Sequence, residues 1–163
     1  MESGTLYEIL AAQTAQLDQL SELLNRETSE LSHIQVDAML ETNAEKEDLV
    51  REISRLSLAL QQEISAAAVR AGLPSDAPLG AVTRYLAQSG HNELREKQKA
   101  MEESANRVKR AANLNLEIAE RFASMTSDSL DLITRLVNQS NTYGASGGFQ
   151  ARPTGAVMIN KEV

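Results

Sequence analysis

The chain contains no cysteine among its 163 residues. That removes a disulfide framework, a thiolate nucleophile and a thiolate metal site in one step, and it agrees with a reducing cytosol. Uninterrupted aliphatic runs are equally scarce. The longest are of the order of Ala66 to Val69, far short of a bilayer span, and the opening MESGTLYEIL has neither the basic region nor the apolar stretch of a signal peptide. A cytoplasmic protein without membrane insertion is expected. Only three prolines occur, Pro74, Pro78 and Pro153, so the stretches before 72 and from 91 to 141 are free of the strongest helix breaker. Only five aromatic residues are present, and two of them, Tyr143 and Phe149, fall in the glycine-rich stretch NTYGASGGFQ, where ordering the backbone is costly.

Charge is present in quantity but unevenly. The formal net charge is −7; residues 1–63 carry thirteen acids and four bases, and residues 64–163 carry ten acids and twelve bases. Phosphate binding needs a concentrated basic surface, so nucleic acid is not expected as a partner. An acidic first half packing on a mildly basic second half accounts for the asymmetry.

Apolar residues recur at threes and fours and never in strict alternation, which predicts an all-α fold. Leu10, Leu17, Leu24 and Leu31 fall seven apart, with Leu6, Leu20 and Ile34 at the second seam position and Gln13 and Glu27 interrupting it. Such an interrupted heptad suits a helix in a bundle better than a strict two-stranded zipper. Thr42 followed by Glu45 has capping-box spacing and predicts a break near ETNAEKE, either a new helix start or a kink. A second helix follows with Leu49, Ile53, Leu56, Leu60, Ile64 and Ala67 on one stripe, ending at Gly72-Leu73-Pro74. A short connector helix, capped by Ser75 or Asp76, carries Leu79, Val82 and Leu86. The longest segment runs from about His91 to Gln139, with Leu94, Met101, Ala105, Val108, Ala112, Ala119, Phe122, Ile133 and Leu136 or Val137 along a drifting stripe.

The apolar face of this last helix is wider than one contact requires. Leu114 and Leu116 point about 200° apart, and Phe122, Met125, Leu130, Leu132, Ile133, Leu136 and Val137 cover an arc of roughly 160°. Either the helix is central and buried, or part of the arc is a groove for a foreign helix. Beyond Gln139 the pattern stops. The expected organisation is one helical-bundle domain over 1–140 and a flexible glycine-rich tail over 141–163.

Chemistry has few footholds. Glu30-Leu31-Ser32-His33 has the Glu-x-x-His spacing of a di-iron bundle, but the only other histidine, His91, has Gln88 three residues before it, so the set cannot be completed. Glu45, Glu47 and Asp48 sit where acids favour a helix start and are expected to be solvated. The glycines of YGASGG have no Gly-Lys-Ser/Thr after them and cradle no phosphate. No catalytic residue, cofactor or metal is expected.

Four stretches in this order, LDQLSELLNRETSEL, EKEDLVREISRL, NLNLEIAERF and TYGASGG, resemble the FlgN family of flagellar type III export chaperones. The resemblance implies an elongated antiparallel helical bundle or coiled-coil hairpin. It implies a cytoplasmic chaperone that holds the terminal helices of hook-filament junction proteins and hands them to the cytoplasmic domain of the export gate. It also implies that the last helix and the C-terminal segment engage partners and that Tyr143 with Gly147 meets the gate; the residues of the wide arc together with Leu114 and Leu116 are the candidate client face on helical geometry. Phe149 joins the gate contact on composition alone. The alternative is a structural coiled-coil adaptor that self-associates through the Leu10 to Leu31 seam.

Overall fold

The computed structural model describes residues 3–88 and 90–140, with side chains over 4–88 and 90–137. Four helices follow one another: α1 (Ser3–Ser32), α2 (Val36–Arg70), α3 (Leu79–Gln88) and α4 (Glu93–Ser140). The described residues contain no strand. The chain divides into two units, Met1–Glu120 and Arg121–Val163, with the division inside α4.

Within the first unit, residue pairing sets the topology. Gln13 meets Ser57, Arg26 meets Glu45 and Glu27 meets Lys46, so partner numbers rise on one helix as they fall on the other and α2 runs antiparallel to α1. Asp18 meets Arg107 and Thr28 meets Asn115, with separations of 89 and 87 residues. A near-constant difference means that α4 runs parallel to α1. Antiparallel α2 already brings the chain back to the end of the bundle where α1 begins, α3 links it to α4, and Leu6 and Leu94 share a core cluster with Leu10 and Leu60. Farther along, Leu20, Leu24 and Ala111 pack with Leu49, Ile53 and Val108. Each fully buried leucine contributes about 1.5–3 kcal/mol. The expected antiparallel bundle with a connector helix is what forms.

Three helix ends close in the same way. Gly72 N–H donates to Val69 O and Leu73 N–H to Ala68 O; Gly90 N–H donates to Ala87 O and His91 N–H to Leu86 O. This paired closure puts the residue after the cap in the left-handed region, where Gly72 (φ 72) and Gly90 (φ 96) sit without strain. After α1 the same pair is made by Ile34 N–H to Leu31 O and Gln35 N–H to Glu30 O, but the left-handed residue is Ile34, with φ 54.

The α1–α2 break therefore falls at 33–35 and not at the Thr42–Glu45 capping box. Thr42 lies inside α2 and is buried, and its hydroxyl is spent on tertiary contacts: it donates to Glu30 Oε1 at 2.8 Å and accepts from Arg26 Nε at 3.1 Å. Ile34 is likewise off the α1 seam and exposed. Gln13, which interrupts that seam, is buried and donates from Nε2 to Ser57 Oγ. The start of α3 also differs from expectation. Neither Ser75 nor Asp76 caps it; Pro78 O accepts from Ala81 and Val82, and the helix begins at Leu79. Proline supplies the helical φ there, and the two polar residues belong to the preceding turn.

Candidate functional site

The site is assembled along α4. In the first unit its inward positions are Leu94, Met101, Ser104, Val108, Ala111, Asn115 and Ile118, buried or half-buried at alternating steps of three and four after residue 101. Ala105, Ala112 and Ala119, expected on the packed stripe, lie one residue round from it and are exposed. The inward line is partly polar, and this is why apolar residues alone misplace it.

Those polar positions are satisfied across the bundle. Asn115 Nδ2 donates to Leu24 O at 2.8 Å and to Glu27 Oε2 at 2.9 Å, while its Oδ1 accepts from Thr28 Oγ1 at 2.5 Å. Glu27 in turn holds Lys46 of α2, so three helices meet at one polar layer. Ser104 and the Arg107 guanidinium beside it hydrogen-bond Asp18 and hold its carboxyl below the ordinary 3.8. The first unit's part of α4 is thus committed to internal packing. Leu114 and Leu116 belong to this unit and are exposed.

The second unit shows the opposite economy. The alternation that is inward in the first unit continues in sequence as Phe122, Met125, Ser129, Leu132 and Leu136. Phe122 is half-buried and the other four are exposed, Met125 at 63% and Leu136 at 57%. Leu130, Ile133 and Val137 widen the same face and are exposed too. Arg121, Asp128, Asp131 and Arg135 occupy about 80° on the other side of the helix, leaving roughly 160° apolar.

Three of the five hydroxyls within this segment are already occupied. Thr126 Oγ1 donates to Phe122 O, Ser129 Oγ to Met125 O and Thr134 Oγ1 to Leu130 O, at 2.8–2.9 Å. A side chain folded back on its own helix needs no partner from outside. Covering the face therefore buries leucine and methionine without stranding the Thr126 or Ser129 hydroxyl. Sequence reading placed the apolar residues of this face, but the occupied hydroxyls need coordinates to see.

The Glu30–His33 pair does not converge. Glu30 is buried and turned to Thr42 and Arg26, whereas His33 is exposed with Nδ1 at 2.7 Å from Ser29 O. Among the described residues no cluster of three or more metal-ligating side chains forms, and no helix is long and apolar enough to cross a membrane. Tyr143, Gly147 and Phe149 lie outside the described residues.

A family model described as FlgN protein matches residues 1–150. The chain belongs to the FlgN family. This FlgN chain thereby takes the general role of a flagellar export chaperone, and its family is one of chaperones and not of enzymes. The match runs through Tyr143, Gly147 and Phe149; residues 151–163 lie beyond it. No curated protein and no solved structure matched the FlgN chain.

Proposed function

We propose that this chain works in the cytoplasm by holding the terminal amphipathic helices of hook-filament junction proteins. It prevents their premature association and delivers them to the export gate. The observation that carries the reading is the uncovered apolar arc of residues 122–137, in which Phe122, Met125, Leu130, Leu132, Ile133, Leu136 and Val137 are brought to one side of a helix. An amphipathic client helix seats its own apolar stripe on such a face, and the flexible methionine adapts to more than one client. Leu114 and Leu116, in the other unit, are not needed for it. Gate contact falls to Tyr143 and Gly147, as the resemblance of TYGASGG implies, with Phe149 joining on composition alone.

The adaptor alternative loses ground because Leu10, Leu24 and Leu31 are buried within the chain, so its zipper seam is already in use. The test is a pull-down of purified junction-protein terminal helices with the full chain, with Leu132→Asp and Leu136→Asp together, and with Tyr143→Ala. The first variant is expected to lose the client, and the second to keep the client and lose the gate domain. Client capture that survives Leu132→Asp/Leu136→Asp overturns the assignment of the arc.

A further inference from the structure

The α1–α2 turn sets backbone against side chain. Of the three helix ends that close through a left-handed residue, two use glycine and the third uses Ile34 at φ 54. A β-branched residue is an outlier in that region. Nothing in the packing compensates, since Ile34 is 65% exposed. Val36 and Leu40, one helical turn apart on the same face of α2, are 59% and 67% exposed. Three large aliphatic side chains thus stand in water within seven residues, one of them at a position that folding alone would give to glycine. Strain of this kind concentrates at sites of function.

The surroundings say what kind of partner suits the turn. Residues 33–48 hold Asp37, Glu41, Glu45, Glu47 and Asp48 against a single Lys46. Lys46 is engaged by Glu27, Glu45 by Arg26 and Asp48 by Arg51. Among the described residues Asp37 and Glu41, again one turn apart and beside Val36 and Leu40, form no salt bridge, although Arg26 lies near enough to Glu41 to feel its charge. We propose that this turn docks a basic amphipathic segment of a partner protein, whose aliphatic side chains cover Ile34, Val36 and Leu40 while its lysines or arginines meet Asp37 and Glu41. A second copy of the chain would bring the same carboxylates together, and an anionic lipid surface or nucleic acid would be repelled. The surface uses a different element from the 122–137 arc and stands whether or not that arc holds a client.

The full chain carrying Leu132→Asp and Leu136→Asp, which removes the other helix-binding face, serves as the parent and is titrated against two labelled 14-residue helical probes by fluorescence anisotropy, one built from leucine and lysine and one from leucine and glutamate with the same leucine spacing. The leucine–lysine probe is expected to bind and the leucine–glutamate probe not to bind. Ile34→Gly with Leu40→Gln weakens binding by about tenfold or more, through lost apolar cover. Asp37→Asn with Glu41→Gln weakens it several-fold and flattens its dependence on salt. Melting curves establish that both pairs remain folded, and Ile34→Gly relieves the backbone. The proposal is overturned if the probe binds both pairs as it binds the parent, or if light scattering shows a parent dimer that Ile34→Gly/Leu40→Gln turns into a monomer.

Discussion

Thr28 Oγ1 donates to Asn115 Oδ1 at 2.5 Å across 87 residues of sequence, and the same amide donates to Leu24 O and Glu27 Oε2. One buried amide therefore fixes the register of α4 on α1. Asn115→Ala removes three hydrogen bonds from a buried layer, while the Thr28 hydroxyl keeps Leu24 O as an acceptor, and is expected to cost about 2 kcal/mol. Thr28→Val is expected to cost about 1 kcal/mol, and the double variant less than the sum, since the two share a bond. Urea denaturation of the four proteins measures all three values.

Ile34 gives a prediction of the opposite sign. A left-handed φ costs a non-glycine residue about 1–2 kcal/mol, and glycine gives back about 0.5–1 kcal/mol through its freer unfolded chain. Ile34 makes no buried contact to lose. Ile34→Gly is thus expected to raise stability by roughly 0.5–1 kcal/mol, seen as an upward shift of about 2 °C in the thermal midpoint.

The Asp18 carboxyl supplies the pH dependence. Ser104 and Arg107 lower its folded value below 3.8, while the unfolded chain restores the ordinary one. Between the two values the unfolded state holds more protons, so stability rises with pH. The contribution is present above about pH 4 and is lost as pH falls through the folded value. Its size is small, because Asp18 and Arg107 are each nearly half exposed. Asp18→Asn is expected to be less stable than the parent at pH 6 and equal to it near pH 2, in urea titrations at matched ionic strength.

Much of this architecture is legible in the order of the residues. Leu10, Leu24 and Leu31 of α1 and Leu56 and Leu60 of α2 recur at helical spacing and become buried, and Gly72 ends α2 in the left-handed conformation that glycine favours. Two things are not legible, for one physical reason: a polar residue can serve its own helix or a distant one, and spacing does not distinguish them. Thr42 has a capping partner at the right interval, yet its hydroxyl goes to Glu30 and Arg26. Ser104 and Asn115 occupy inward positions of α4 that a search for apolar residues passes over in favour of Ala105 and Ala112. The turn at Ile34 is hidden because no glycine or proline marks it. The apolar arc after Phe122 is readable as an arc, and only coordinates show it exposed.

That exposure separates surface from core in a way stability can measure. Leu10 is fully buried in the cluster with Leu6, Leu60 and Leu94, and Leu10→Ala is expected to cost about 2–5 kcal/mol through lost burial and the cavity left behind. Leu132 and Leu136 are 58% and 57% exposed, so polar replacement removes little burial. Leu132→Asp with Leu136→Asp is expected to move the free protein's stability by no more than about 0.5 kcal/mol. The same pair is expected to weaken capture of an amphipathic helix by about a hundredfold, since two aliphatic contacts become two carboxylates that must be desolvated. Calorimetric titration beside urea denaturation reads both numbers on one preparation. If the pair instead unfolds the chain, the arc belongs to the protein's own core; if both stability and capture hold, the client sits elsewhere.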